Sequence, residues 1–405
     1  MRLATVLRRP AGARHLLQLA AAALLLAGCG GGGSAGPSSG GTGAAPSSFA
    51  AGTITGFGSI IVNGVRFDDS SATVLDDDGK PSSRGSLKLG MSVEVHGGAT
   101  SDDGKGPRAD AREIRHGAEV LGPVSAVDAT ARTLVVLGQT VRVTDGTQID
   151  ERLTGGFAGI AVGTVLEIHG TLDVASGVYT ATRLSPSVAA EGFRIRGIVS
   201  SLDAVAKTFT IGGATISYAG IVPAPVLANG DRVKVRLETA QVAGAWVATR
   251  LEGGAPRPDD AAEVELEGTI TAFTSATTFS VNGLPVDASH AVFKEGSSSA
   301  ALALGVRVEV KGTAVDGVVV ATRISVEHED EHDNPEIELH GAIASIDTAA
   351  KTFVLREVTV SYAGPGIEYR GGSEALLAAG AKVEVKGALA ADGKTLNAKR
   401  ISFGD

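Results

Sequence analysis

Five times along this chain, a leading glycine is followed by a short stretch that alternates between apolar and polar residues. Strict alternation is typical of a β-strand with one buried face. The leading glycines lie 73, 67, 75 and 75 residues apart, so the repeat indicates a recurring structural unit. The copies are GMSVEVHG (90–97), GTVLEIHG (163–170), GDRVKVRL (230–237), GVRVEVKG (305–312) and GAKVEVKG (380–387).

The same signals surround each copy. A first strand starts at a glycine, and a turn follows, which in three copies reads D-x-x-x-[KR]-T (128–133, 203–208 and 347–352). A hairpin comes next, and the Asn63-Gly64 pair suits a type I′ turn. Arg356-Glu357 stands at this place in the last copy, where we expect a different turn. A variable connector, the repeated strand and a last strand complete the unit.

Three strands, a connector and two further strands follow the chain order of an OB-fold. We therefore predict an all-β protein with five tandem five-stranded OB-like β-barrels, each enclosing its own apolar core. Closure into barrels removes free sheet edges. The alternative is a row of open sheets packed face to face. Domains this small bury only about 60% of their unfolded surface, so neighbouring modules should share some interface.

The predicted organisation follows from these repeats. The ranges are 1–28 for a signal peptide, 29–50 for a Gly/Ser-rich disordered tether, 51–117, 118–188, 191–254 and 262–327 for modules 1 to 4, 328–335 for an acidic linker, and 336–405 for module 5. A helical turn is expected at the end of the connector in modules 4 and 5. The tether contains mainly Gly, Ser, Ala, Pro and Thr, which cannot bury enough apolar surface to fold.

The first residues are typical of a lipoprotein signal peptide. A basic segment precedes an apolar run at 16–27, which is too short to span a bilayer. The run ends in Leu26-Ala27-Gly28-Cys29, which resembles the bacterial lipobox, so Cys29 is the predicted site of lipidation with palmitate-type chains. The alternative is an ordinary secretory signal with a chance cysteine. Because Gly30, not Asp, follows the cysteine, we expect an outer-membrane location, on the periplasmic or the surface face.

Charge argues against a nucleic-acid partner. Without the four arginines of the leader, the chain has 32 basic against 45 acidic side chains, a net charge of −13. Such a surface repels phosphate backbones. The one cysteine, Cys29, excludes an internal disulfide and a thiolate metal cage.

The sequence GTITGFGSIIVNGVRF at 52–67 resembles the opening of a bacterial repeat family known only as a domain of unknown function. Its members are typically Gly/Ala-rich lipoproteins with several copies. The resemblance covers nearly all of the chain after the tether. It implies a secreted β module and supplies no catalytic residues.

The acidic linker holds the candidate metal ligands. His328 and His332 stand four apart among carboxylates and could bind Zn²⁺ if the segment were helical. The alternative, which we favour, is a solvated linker that ends at Pro335. We therefore predict no metal and no other cofactor.

Charged and aromatic side chains near the repeated strand are interpreted as structural. We predict outer-face salt bridges between strands four and five. The predicted pairs are Glu167–Arg183, Glu309–Arg323 and Glu384–Arg400, with Lys234 opposite Arg250 as the exception in module 3. His96 and His169 alternate with lysines between modules, so a solvent-facing position is expected. Trp246, the one tryptophan, is predicted to pack against the core.

The function predicted from these features is that of a non-catalytic cell-envelope lipoprotein, acting as a binding or spacer element. The membrane is the expected partner through Cys29, with an envelope protein or polysaccharide as a further one. One alternative is an oligosaccharide- or peptidoglycan-binding protein, which exposed rings at Tyr218, Tyr362 or Tyr369 would favour. The other is a hydrolase with a cryptic site, which a cleft holding a buried carboxylate pair would favour.

Overall fold

The computed structural model describes residues 47–404 except 103, 105, 189, 190, 257 and 328–333. The predicted signal peptide, Cys29, His328 and His332 lie outside this part of the chain, so their predictions stay untested. These described residues form one compact unit. None of the helices in the described part has the length and hydrophobicity needed to cross a bilayer.

Modules 1 and 2 supply the first twelve strands. Module 1 contains β1 (Ser48–Phe57), β2 (Ile60–Val62), β3 (Val65–Asp68), β4 (Thr73–Asp76), β5 (Ser92–Gly97), β6 (Ser101–Asp102) and β7 (Pro107–His116). Module 2 contains β8 (Val120–Asp128), β9 (Thr133–Val136), β10 (Gln139–Ile149), β11 (Val165–Asp173) and β12 (Val178–Pro186).

Modules 3 to 5 repeat the pattern. Module 3 contains β13 (Phe193–Ile198), β14 (Ser200–Asp203), β15 (Thr208–Ile211), β16 (Ala214–Ser217), β17 (Arg232–Val242) and β18 (Ala245–Gly253). Module 4 contains β19 (Ala261–Ser275), β20 (Thr278–Val281), β21 (Leu284–Asp287), β22 (Val292–Phe293), β23 (Arg307–Val315) and β24 (Val318–Val326). Module 5 contains β25 (Ile337–Ala342), β26 (Ser345–Asp347), β27 (Thr352–Leu355), β28 (Val358–Ser361), β29 (Glu368–Arg370), β30 (Lys382–Leu389) and β31 (Thr395–Phe403).

Each module is a closed five-stranded barrel, as module 2 illustrates. β8 pairs antiparallel with β9, and β9 with β10. β10 then runs parallel to β12, β12 pairs antiparallel with β11, and β11 returns to β8. The other four modules close through the same order of pairings. The prediction of OB-like barrels is confirmed, and the alternative of open sheets is wrong.

Local sequence signals explain the turns. In the D-x-x-x-[KR]-T motif, the Asp128 carboxylate accepts the N–H groups of Thr130 and Ala131, both at 2.9 Å, and Arg132 takes a φ of 50°. The connectors of modules 4 and 5 contain the expected helical turns, Ser299–Ala301 and Glu374–Leu376. The expectation for Arg356-Glu357 is wrong, because both residues take positive φ, 51° and 63°, as the Asn-Gly turns do.

Strand one of each module joins it to other modules. β1 pairs in parallel with β19 of module 4, from Ser48↔Glu263 to Ala51↔Leu266. Further along, β1 pairs with β25 of module 5, and β8 of module 2 pairs with β13 of module 3. The expectation that neighbouring modules share an interface is confirmed for modules 2 and 3. The barrels of residues 47–404 also join out of chain order, which covers apolar surface that one barrel alone leaves exposed.

Among the described residues, buried apolar side chains form three main clusters. One joins the interiors of modules 1 and 5, and another joins those of modules 2 and 3. The third fills module 4 and includes Phe49 and Ala51 from β1 of module 1. Each barrel has an apolar interior, but these interiors continue across the module boundaries.

Candidate functional site

Each barrel has four outer-face residues, two on or next to its first strand and two on the neighbouring fourth strand. Their side chains determine which contacts this face of the barrel makes. We call these four residues the quartet of a module. The quartets are Phe49, Ala51, Glu94 and His96 (module 1); Glu119, Leu121, Glu167 and His169 (module 2); Arg194, Arg196, Lys234 and Arg236 (module 3); Glu265, Glu267, Glu309 and Lys311 (module 4); and Glu338, His340, Glu384 and Lys386 (module 5).

The module 3 quartet consists of four cations that face an acidic loop of module 1. Arg194 Nη1 lies 2.7 Å from Asp77 Oδ1, and Arg236 forms an ion pair with Asp78. Lys234 Nζ lies 3.7 Å from Asp78 Oδ1. The Asp78 side chain is only 1% exposed. Burial alone would raise the pKa of Asp78, but the hydrogen bond from Arg236 and the surrounding cations outweigh it, so the pKa lies below its usual value.

Asp77 and Asp78 form the buried carboxylate pair that the hydrolase alternative required. Both carboxylates are held between arginines, so both are already paired. A general acid needs a raised pKa, whereas the pKa of Asp78 is lowered, and a general base needs access to substrate, whereas these side chains are at most 7% exposed. The pair is an inter-module contact.

The module 2 quartet contains a fully buried histidine. Nδ1 of His169 accepts the backbone N–H of Ser92 from module 1 at 3.1 Å, and Nε2 lies 3.1 Å from Glu167 Oε1. The expectation of a solvent-facing His169 is wrong, because β5 of module 1 packs on it. His96 is half-buried and lies edge-on to Phe49, with ring centroids 5.1 Å apart.

The predicted salt bridges between strands four and five are wrong. The register pairs Glu167 with Ser185, and places Glu309 and Glu384 opposite serines as well. The hairpin register, which pairs Gly170 with Ala181, and a bulge that inserts Thr182 together place Arg183 opposite His169, and similar bulges occur in modules 4 and 5. Buried Arg183 instead pairs with Asp150 at 2.7 Å.

The other positions named from the sequence are also displaced from their predicted partners. Arg400 pairs with Glu368 at 2.7 Å. Arg323 lies opposite Lys311 in the register. Lys234 lies opposite Glu252, and Arg250 lies opposite Arg236. Arg400 reaches Glu368 because β29 pairs in parallel with β31, and the other placements follow from the registers of strands four and five.

The aromatic side chains mostly serve packing. Trp246 meets Phe193 edge-on, with centroids 5.6 Å apart and an interplanar angle of 81°, which confirms its predicted role. Tyr218 and Tyr362 are buried, and Tyr369 is half-buried. The exposed rings that would have favoured a saccharide-binding protein are therefore not found at Tyr218 or Tyr362.

A cavity of about 410 Å³ lies between modules 3 and 4. One wall is the connector of module 3, with Val226 and Leu227, and the opposite wall includes Thr271 and Ser280 of module 4. The side chain of Val226 is 99% exposed, so it is available for contact with a ligand at the mouth of the cavity. Small-molecule sites typically combine apolar walls with a few polar groups, as this cavity does.

Sequence reasoning missed the quartets and this cavity. Both depend on contacts between residues far apart in the chain, which local alternation does not specify. One signal was available: the basic pattern at 194–196 and 234–236 is complementary to the acidic run at 76–78.

Comparison with known proteins agrees with the repeat structure. The family described as "Domain of unknown function (DUF5666)" matches residues 51–106, 122–185, 196–252, 267–325 and 340–402. No curated protein is similar in sequence to the chain. Among solved structures, "drosophila Unr CSD456" is 12% identical, covering 52% of this chain and 97% of that one. Its TM-score of 0.14 is too low to support an argument.

Proposed function

The chain belongs to the DUF5666 family of unknown function, and we propose that it is a non-catalytic binding protein held at the cell envelope by a lipid on Cys29. The observation that carries this proposal is the cavity between modules 3 and 4, where the exposed Val226 offers apolar surface to a ligand. The barrels supply a frame for this site, and the Gly/Ser-rich segment after Cys29 connects this frame to the proposed lipid.

The ligand class follows from the walls of the cavity. Val226 and Leu227 suit an apolar group, while Arg232 and Glu252 also line the space and offer charged contacts. Arg232 is already paired with Glu119 at 3.0 Å, and Glu252 is already paired with Lys234 at 3.1 Å, which leaves the hydroxyl groups of module 4 for a ligand's polar end. A small amphiphilic molecule fits this arrangement better than a sugar, which would need an aromatic platform.

A fluorescent probe tests the binding site. Anilinonaphthalene sulfonate, an amphiphilic dye, should bind the native chain saturably with increased emission. Ala255→Phe fills the cavity and should weaken binding at least tenfold, while Val205→Asp, which alters an equally exposed valine outside the cavity, should not. Equal binding by both variants would contradict the proposed site.

Metabolic labelling tests the anchor independently. An alkyne analogue of palmitate should label the wild-type chain, which should fractionate with membranes. Cys29→Ala should lose both the label and the membrane association, because Cys29 is the one thiol. A Cys29→Ala chain that stays with the membrane would contradict lipid anchoring without affecting the binding-site result.

A further inference from the structure

The quartet of module 5 differs from the other four in its chemistry. It brings together one imidazole, His340, and two carboxylates, Glu338 and Glu384. Within the described residues, this is the one group of three potential metal ligands whose ligand atoms all lie within 4.8 Å of one another. One imidazole with two carboxylates is a ligand set that divalent transition metals accept.

The backbone places these three side chains without relying on loops. Glu338 and His340 stand two residues apart on β25, so they project from the same face of the strand. Glu384 on β30 is directly opposite His340 in the antiparallel register. The carbonyl of His340 accepts a hydrogen bond from Arg356 Nε at 2.8 Å. Sites built on paired strands hold their geometry better than sites on loops.

The distances are close to those of a coordination sphere. His340 Nε2 lies 2.5 Å from Glu338 Oε1, and His340 Nδ1 lies 3.9 Å from Glu384 Oε2. Zn²⁺ ligands at about 2.0–2.2 Å from the ion stand roughly 3.3 Å apart in a tetrahedron. One ligand atom from each of the three side chains lies within 4.8 Å of the other two, so side-chain rotation, without backbone movement, would bring one imidazole nitrogen and both carboxylates to this spacing. The three side chains are about one-fifth exposed, so an ion has access.

A cation already occupies the space between the carboxylates. Lys386 Nζ lies 2.6 Å from Glu338 Oε2 and 3.8 Å from Glu384 Oε1. This contact shows where positive charge is stabilised on the quartet. A divalent ion at the same place would interact more strongly with two carboxylates than a single ammonium does, and the flexible lysine could move aside.

Module 4 provides the matched comparison inside the same chain. Glu265, Glu309 and Lys311 occupy the places of Glu338, Glu384 and Lys386, with Lys311 Nζ 2.7 Å from Glu265 Oε2. The residue in the place of His340 is Glu267, which is ion-paired with Arg307. Module 4 therefore has the carboxylates and the lysine but lacks the imidazole.

We propose that Glu338, His340 and Glu384 form a binding site for a divalent transition metal such as Zn²⁺, with Lys386 as a built-in competitor. The site joins β25 to β30 beside Gly58 of module 1, whose backbone packs directly on His340. Metal binding would therefore also stabilise the contact between modules 1 and 5. The proposal is independent of the function of the cavity between modules 3 and 4.

Calorimetric titration with Zn²⁺ tests the site in the full chain. The parent should carry His328→Ala and His332→Ala, which removes the histidines of the acidic linker. It should bind about one equivalent saturably. His340→Ala should weaken binding at least tenfold, as loss of a ligand does. Lys386→Met should tighten binding roughly tenfold because it removes the competing charge. Glu265→Gln in module 4 should leave the affinity unchanged.

The outcomes separate a metal site from a structural cluster. The absence of saturable binding in the parent, or equal affinity in His340→Ala, would overturn the proposal. Far-UV circular dichroism checks that each variant folds. If His340→Ala does not fold, the Lys386→Met variant decides, because unchanged or weaker Zn²⁺ binding in that variant would also refute the site.

Discussion

Buried charges in this chain are neutralised across module boundaries, and Asp78 is the extreme case. Its side chain is 1% exposed and contacts Arg236, Arg194 and Lys234 of module 3. Removing one member of a buried ion pair leaves the others uncompensated in a low-dielectric environment. Such contacts hold the modules in one arrangement.

Asp78→Ala should lower the free energy of unfolding by about 3 kcal/mol, because three buried cations lose a counter-ion. Urea unfolding followed by circular dichroism measures this change. The control is Asp145→Ala, since the Asp145 side chain is 55% exposed and its pair with Arg132 should contribute no more than about 1 kcal/mol. Equal effects of the two substitutions would contradict a stabilising role for the buried cluster.

Glu265 makes stability depend on pH in the opposite direction to most carboxylates. Burial raises its pKa to about 7, although Lys311 lowers it, and Glu309 adds to the increase. The folded chain binds the proton of the Glu265 carboxyl more tightly than the unfolded chain does. The contribution of Glu265 to the free energy of unfolding is therefore greatest below the unfolded pKa of about 4.3 and falls as pH rises toward 7. Above pH 7 the stabilisation contributed by protonated Glu265 is lost.

The free energy of unfolding should therefore decrease less between pH 5 and pH 8 in Glu265→Gln than in wild type, by roughly 2 kcal/mol. Urea unfolding at several pH values measures the difference. Glu263→Gln, on the same strand and more exposed, serves as the control. A wild-type slope that persists unchanged in Glu265→Gln would contradict the raised pKa.

At the scale of single elements, the bulge in strand five explains the final glycine of the repeated stretch. A Cβ at Gly170 would lie 2.3 Å from the carbonyl oxygen of Thr180 on the bulged strand, and Gly312 and Gly387 are equally constrained. The alternating pattern of the repeat thus ends where a side chain no longer fits. Module 3 has Leu237 at this place, with a second register shift beyond it.

Gly170→Ala should destabilise the chain by about 2 kcal/mol, because the backbone of β12 must move away from the new methyl group. Gly364→Ala is the matched control, since a Cβ at this position would meet nothing within 4 Å and the φ of Gly364 is not positive. That substitution should be neutral or slightly stabilising. A neutral Gly170→Ala would show that the strand pair adapts without cost.

The strands also show which features of the fold can be predicted from the sequence. Alternation and turn chemistry are local, so the strands, the Asn63-Gly64 hairpin and barrel closure could be predicted. The position of Arg183 opposite His169 could not be predicted, because it depends on the hairpin register and on a bulge at Thr182 that interrupts the apolar alternation of β12. His340 could not be identified as a candidate metal ligand from the sequence, because only the strand register brings Glu384 beside it.

At the scale of the whole described unit, the first strand of module 1 acts as a connector. β1 pairs with module 5 through Gly56 and Phe57, and with module 4 through residues 48–51. Phe49 is buried in the core of module 4. These pairings join residues that are far apart in the chain and so close a long loop. A sequence repeat describes each module by itself and therefore does not predict contacts between distant modules.

The barrels of residues 47–404 associate out of chain order, and zero-length coupling of lysines to carboxylates can detect this association. After carbodiimide treatment, mass spectrometry should identify the links Lys88–Glu357, between modules 1 and 5, and Lys80–Glu191, between modules 1 and 3, because each pair is 2.5 Å apart at the surface. Lys351–Glu374, 3.2 Å apart within module 5, is the internal control. Formation of the control link alone would contradict the assembly.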